Sequence, residues 1–155
     1  MEMNKNDIFQ MRIEDMSESG EGIGKVEGYT LFVKDTVIGD VIEGKVIKAK
    51  KTYGYGKLTK VITPSPDRVE PKCPVAGPCG GCQMQCLSYE AQLAFKTRKV
   101  KGHLERIGHF ADVKVEPILG MDREPFRYRN KAQFPFGRSK DGRIVTGFYA
   151  GRTHS

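Results

Sequence analysis

Gly22-Ile23-Gly24-Lys25-Val26-Glu27-Gly28-Tyr29-Thr30-Leu31-Phe32-Val33 is the stretch that decides how the first half of this chain folds. Two apolar runs, Ile23 to Val26 and Tyr29 to Val33, are joined by Glu27-Gly28, a two-residue connection of the kind that closes a β-hairpin. Upstream, Phe9, Met11 and Ile13 alternate with Gln10, Arg12 and Glu14, the period of a half-buried strand, until Ser17-Glu18-Ser19-Gly20-Glu21-Gly22 breaks it. Downstream, Gly39-Asp40 turns into a strand from Val41 to Ala49, and Tyr53-Gly54-Tyr55-Gly56 turns into another from Lys57 to Ile62. Five short strands with glycine-rich turns predict a small closed barrel of the OB type. Because Gly22-x-Gly24 precedes a strand, where a phosphate-cradling loop would need a helix, a nucleotide-binding glycine loop is excluded. Two prolines in Thr63-Pro64-Ser65-Pro66-Asp67 favour extended backbone and end the barrel. The expected domains are therefore a barrel over residues 1–63, a linker over 64–70 and a second domain over 71–155.

The chain has 155 residues and a formal net charge of +7, and the charge is unevenly placed. Residues 1–65 carry ten Lys/Arg and ten Asp/Glu, whereas residues 66–155 carry sixteen against nine, the whole of the excess. Within the first half all ten acids fall in residues 1–43, which leaves Lys45, Lys48, Lys50, Lys51, Lys57 and Lys60 unopposed in sequence. Tyr53 and Tyr55 interrupt these lysines. Rings for stacking among cations for phosphates are the recipe of single-strand binding, so Lys48, Lys50, Lys51, Tyr53 and Tyr55 are candidate RNA contacts; a solvated charged face is the alternative. No apolar run approaches the roughly 20 residues that would cross a bilayer. The polar start from Met1 to Gln10 is not that of a signal peptide, so a cytoplasmic location is expected.

All four cysteines fall within Cys73-Pro74-Val75-Ala76-Gly77-Pro78-Cys79-Gly80-Gly81-Cys82-Gln83-Met84-Gln85-Cys86. Scattered core cysteines would not cluster in this way, and a secreted disulfide framework does not suit the N-terminus. Three of them form C-x5-C-x2-C, and Gly80-Gly81 frees the backbone to bring thiolates together. Zinc and an iron–sulfur cluster both accept sulfur donors in tetrahedral arrangement, and spacing does not choose between them.

Beyond this loop Ser88 is placed to cap a helix in which Leu93, Val100, Leu104 and Ile107 trace an apolar stripe and Gly108 closes the end. Lys96, Arg98, Lys99, Lys101 and Arg106 occupy its other faces. From Phe126 to Phe136, the residues Phe126, Tyr128, Ala132, Phe134 and Phe136 share one parity and Arg127, Arg129, Lys131 and Gln133 the other. A strand there would have an aromatic face and a basic face, making Arg127, Arg129 and Lys131 further RNA candidates. Asp141-Gly142 marks the turn into a returning strand from Ile144 to Tyr149.

The motif C-P-x4-C-G-G-C-Q-x-Q, with Leu87-Ser88-Tyr89-Glu90-Ala91-Gln92-Leu93 and the helix ending Arg106-Ile107-Gly108, resembles the iron–sulfur region of bacterial RNA (uracil-5-)-methyltransferases of the RlmD, RlmCD and TrmA group. Gly20-x-Gly22-Ile23-Gly24-Lys25-Val26, with Leu31-Phe32-Val33 and Gly39-Asp40-Val41, is similar to the TRAM domain, an RNA-binding barrel at the start of such enzymes. Phe126 to Gln133 resembles their central-domain hairpin. The resemblance implies a mixed β and α+β chain, an OB-like TRAM barrel followed by a partial central domain with a cysteine loop, one long helix and a hairpin. It implies that Cys73, Cys79 and Cys82 are three ligands of a 4Fe-4S cluster of structural role, the fourth being a distal cysteine beyond Ser155. The position of Cys86 is not a ligand in that family.

It further implies S-adenosylmethionine bound by a Rossmann-like domain outside this chain, and 23S rRNA as partner, with no stable protein partner and no membrane. Uracil C5 takes a methyl group only after a thiolate adds at C6, and a carboxylate then removes the C5 proton. With all four cysteines in one loop, no residue here is expected to be catalytic, and the chain is expected to be a fragment that does not turn over alone. A non-enzymatic RNA-binding module with zinc on Cys73, Cys79, Cys82 and Cys86 is the alternative. A radical enzyme carrying the same barrel would use C-x3-C-x2-C, which is not the spacing found.

Overall fold

The alternation that starts near Phe9 builds β1 (Ile8–Arg12), with Phe9 and Met11 buried and Ile8, Gln10 and Arg12 exposed. A computed structural model of the chain describes residues 3–122 and 125–151. Met1 and Glu2 of the polar leading stretch, and residues 123–124 and 152–155 of the expected second domain, lie outside the described residues. Five further strands follow: β2 (Asp15–Met16), β3 (Gly22–Val26), β4 (Tyr29–Val33), β5 (Val41–Ala49) and β6 (Tyr53–Thr63). They form one six-stranded sheet in the order β1-β5-β6-β4-β3-β2, with β4 and β6 parallel and the other neighbours antiparallel.

The expectation of five strands is corrected to six, and the reason is a bend. The first strand breaks at Ile13 and Glu14, whose N–H groups donate to the carbonyls of Asp40 and Ile23, each at 2.8 Å. Its continuation, β2, pairs with β3 at the other edge of the sheet. Six flat strands would hold those edges about 24 Å apart, yet two residues bridge them, so the sheet must curl back toward its own first strand. The interior it encloses is packed with Phe9, Met11, Ile13, Tyr29, Leu31, Val33, Ile42 and Val46, against which Val26, Leu58 and Val61 lie partly buried. The β3–β4 hairpin stands as expected, with Val26 opposite Tyr29 and the Glu27-Gly28 turn taking φ of 46° and 86°.

A second correction concerns Tyr53-Gly54-Tyr55-Gly56, which is strand and not turn. Gly54 and Gly56 face inward, and a Cβ on Gly56 would meet the Phe9 ring at 2.6 Å. The glycines are there because the interior has no room for a side chain, while the tyrosines between them face out.

By packing, the chain divides into two compact units, one running to Leu87 and including the stretch from Tyr149, the other Ser88–Phe148. The cysteine loop, grouped by sequence with the second domain, packs within the first unit. The segment read as a linker is anchored there: Ser65 is 6% exposed, and the Arg68 guanidinium donates to the fully buried Asp40 carboxylate at 2.7 Å.

In the second unit α1 (Tyr89–Arg106) is capped by Ser88, whose hydroxyl accepts from the Ala91 N–H at 3.3 Å. The expected apolar stripe does not hold: Phe95 is the buried residue of the helix, Val100 is 50% exposed and Ile107 72%. Cover reaches only the start of this face, where the Tyr89 hydroxyl accepts from the Met121 N–H, Thr97 Oγ1 accepts from the Ile118 N–H and Gly120 lies against Leu93. The chain returns over the first turns only, so the far end of the stripe stays exposed. His109, not Gly108, takes the left-handed conformation after the helix, at φ 54°.

The strand expected from Phe126 to Phe136 is also corrected. Arg127 has φ 57°, which no strand tolerates, and Pro135 can give no ladder hydrogen bond. What forms is a short hairpin, β7 (Phe136–Arg138) and β8 (Ile144–Thr146), with Gly142 at φ 83° in its turn. Phe126, Tyr128, Phe134 and Phe136 are all exposed; Phe136 alone of the four belongs to the ribbon, and two strands bury neither face.

Candidate nucleic-acid interface and cysteine loop

Strand alternation decides what the sheet shows to solvent. Along β6 the glycines go in, so Tyr53 and Tyr55 go out; along β4 Tyr29, Leu31 and Val33 go in, so Phe32 goes out. The parallel register sets Phe32 beside Tyr55 and Thr30 beside Tyr53. The result is a cluster of three partly exposed rings, Phe32, Tyr53 and Tyr55, each neighbouring the other two at 5.6–5.9 Å between centroids.

Lysines surround it. Lys48 pairs in register with Tyr55, Lys57 follows on β6, and the Lys50 ammonium lies 5.8 Å from the centre of the Tyr53 ring. Lys48, Lys50, Lys51 and Lys57 are exposed. The turn that carries Lys50 and Lys51 is tied from inside the sheet. The buried Tyr29 hydroxyl lies 2.6 Å from the Tyr53 carbonyl, to which it donates, and accepts from the Lys50 N–H at 3.1 Å. The fold thus brings together the sequence candidates Lys48, Lys50, Lys51, Tyr53 and Tyr55. Arg127, Arg129 and Lys131 are exposed in the other unit, on backbone without regular structure.

Two contributors escaped sequence reading. Phe32 looked like one more apolar strand residue, although its parity with Thr30, against Tyr29, Leu31 and Val33, could have marked it as outward. Tyr29 gave no signal, since a buried tyrosine in a strand reads as core.

The cysteine loop is set by short backbone contacts. Ala76 donates to the Cys73 carbonyl at 3.1 Å and Cys79 to that of Val75 at 3.0 Å, folding the loop on itself. Gly20, at φ 77°, lets the sheet approach so closely that a Cβ there would lie 2.5 Å from that of Gln83. On the other side the chain comes back after the hairpin: Gly80 donates to the Tyr149 carbonyl and Gly151 to that of Pro78, each at 2.9 Å, with Cys79 and Ala150 in an antiparallel bridge.

All four cysteines are free thiols; Cys82 is exposed and the others are half-buried. The Gly81 N–H points at the Cys79 sulfur at 3.3 Å. Three thiols on one glycine-bearing loop are a donor set that fits a thiophilic metal or cluster. Among the described residues no three Cys, His, Asp or Glu side chains yet stand close enough to enclose a metal ion. Cys86 differs from its neighbours. Burial pushes its thiol up from the ordinary value against the pull of the nearby Arg68 cation, and its carbonyl accepts from the Val69 N–H.

Asp40 holds this side of the sheet together. Burial alone would raise its carboxyl, but the Arg68 guanidinium and the N–H groups of Ser65 and Val37 outweigh burial and hold it below the usual carboxylate range. Sequence reading saw in Asp40 only a turn residue. Among the described residues no helix is long and apolar enough to cross a membrane.

Residues 5–59 match the model of the TRAM domain. Over 98% of its length the chain is 49% identical to an uncharacterized RNA methyltransferase of Halalkalibacterium halodurans. Over 99% it is 48% identical to one of Clostridium tetani, and over 98% it is 45% identical to one of Bacillus cereus. The chain spans about a third of the length of these curated relatives, 33% in each of the three. The solution structure of a conserved protein of Methanococcus maripaludis matches 37% of this chain and 83% of its own at 28% identity, with a TM-score of 0.36.

Proposed function

We infer that this chain, which belongs to the same family as these RNA methyltransferases and carries a TRAM domain, is the RNA-recognition and cluster-bearing portion of an S-adenosylmethionine-dependent RNA uracil-5-methyltransferase. The observation that carries the reading is the pairing of a ring-and-lysine surface on the sheet with a three-thiol loop in the same unit. Rings and cations together suit RNA, since stacking and phosphate neutralisation are the two contributions that bind single strands. We assign 23S rRNA as the partner, because a TRAM barrel adds a grip that a large RNA can use, and a cytoplasmic location, where thiols stay reduced.

Cys73, Cys79 and Cys82 would hold a 4Fe-4S cluster, which would order the loop. The return of Tyr149, Ala150 and Gly151 to Cys79 and Gly80 brings later backbone alongside the loop, which supports a fourth ligand that comes from outside it. Cys86, turned to the Arg68 side, is left out of the set. The methyl donor and the chemistry of C5 methylation belong to residues outside this chain, none of its four cysteines being the C6 nucleophile.

Iron, zinc and acid-labile sulfide, measured on protein purified without oxygen, test this. Iron with matching sulfide, kept in Cys86→Ser and lost in Cys79→Ser, is the expected result. Stoichiometric zinc that disappears in Cys86→Ser would instead establish a four-cysteine zinc module.

A further inference from the structure

Phe32, Tyr53 and Tyr55 make a floor and a wall. Phe32 and Tyr55 are inclined by 35° with centroids 5.6 Å apart, a tilted pair whose partly exposed rings form the floor. Tyr53 stands across both, at 81° to Phe32 and 76° to Tyr55, 5.9 Å from each. Lys50 is on the Tyr53 side of the notch, and Lys48 and Lys57 flank Tyr55 along the strands. The backbone that carries the wall is tied: the Tyr53 carbonyl accepts from the buried Tyr29 hydroxyl at 2.6 Å and from the Lys50 N–H at 2.9 Å, and that N–H also lies 3.1 Å from the Tyr29 hydroxyl.

We propose that this notch holds a single unpaired RNA base, its face on Phe32 and Tyr55 and its edge against Tyr53, and that Tyr29 is the positioning residue that presets the notch. The proposal rests on the RNA-binding reading above and narrows it. Exposed ring surface on this tilted pair offers stacking to one base face, and stacking is available to any base that has left its neighbours. Bases in a duplex have both faces covered, so a duplex could reach the floor only by extruding a nucleotide, at a cost. The wall limits the floor to one base, and the lysines meet the phosphates that enter and leave it. Polyanionic protein shares the charge but has no base to stack, which separates it from RNA as an occupant.

Fluorescence anisotropy with a labelled oligouridylate of about 12 nucleotides, single-stranded or annealed to its complement, reads the notch directly. The full chain should bind the single strand about tenfold more tightly than the duplex, and Phe32→Leu and Tyr55→Leu should each weaken binding about tenfold, while Tyr55→Phe, which keeps the ring, should weaken it less than Tyr55→Leu. Tyr29→Phe should raise Kd several-fold with the active fraction unchanged, an outcome that a merely less stable fold would not produce. Failure of the chain to bind either RNA would overturn both this proposal and the RNA-binding reading. RNA binding that ignores the leucine substitutions, makes no distinction between single strand and duplex, or is competed equally by polyglutamate would overturn the notch alone. A Tyr29→Phe variant with native Kd would remove Tyr29 from it.

Discussion

Asp40 is the residue on which the first unit's tie to the 64–70 segment depends. Its carboxylate is fully buried and accepts from the Val37 and Ser65 N–H groups, each at 2.9 Å, and from Arg68. Removing the cation leaves a buried charge with only two neutral donors, so Arg68→Met should destabilise the unit by about 3 kcal/mol in urea unfolding, the low end for a broken buried pair. Asp40→Asn should cost less, because the charge it leaves behind is that of Arg68, whose side chain is 22% exposed and still donates to the Asp35 carbonyl at 2.9 Å. The pH dependence follows from the lowered carboxyl. The folded state binds the ionised form, so the stabilisation is complete above the unfolded value near 3.8 and is lost as pH falls below it through the native value. Unfolding midpoints should therefore hold steady in weak acid and drop below about pH 4, with a shallower drop in Asp40→Asn. An unchanged acid limb in that variant would place the acid sensitivity in other carboxylates.

At the scale of elements, β6 and α1 show how far pattern carries. Hairpin β3–β4 was legible because alternation and a Glu-Gly turn agree with each other. The first half of β6 was not, because glycine means turn or close approach according to what lies across from it, and here that is the Phe9 ring. Gly56→Ala should consequently destabilise the sheet by about 2 kcal/mol, since neither Phe9 nor Val33 can move aside. Gly102 lies inside α1 with nothing within 4 Å of where a Cβ would be, and Gly102→Ala should stabilise the helix by about 1 kcal/mol. Thermal melts of the two variants should move in opposite directions. Ser88 as a cap was legible because capping is local. The stripe along Leu93, Val100, Leu104 and Ile107 was not, because periodicity marks an apolar face without telling which part of it receives cover. The same limit undid the expected strand at Phe126, where perfect alternation had no partner to pair with and Arg127 took positive φ.

On the RNA-binding reading, two groups of cations are candidates for the phosphates once the whole molecule is considered. The sequence puts the entire +7 in residues 66–155, which favours Arg127, Arg129 and Lys131, whereas the rings that could stack a base are on the sheet with Lys48, Lys50 and Lys51. Charge draws RNA from a distance and rings hold it at contact, so the two groups need not act at the same stage. The salt dependence of binding separates them, since each cation released from a single-strand phosphate contact flattens log K against log salt by about 0.7. Replacing Lys48, Lys50 and Lys51 together by alanine should flatten the slope by about 2 and weaken binding at every salt concentration. Replacing Arg127, Arg129 and Lys131 should slow association at low salt and change the slope less. The reverse outcome would move the RNA path from the sheet to the exposed segment of the second unit, and the ring cluster would then have to be read as a solvated face of the TRAM domain.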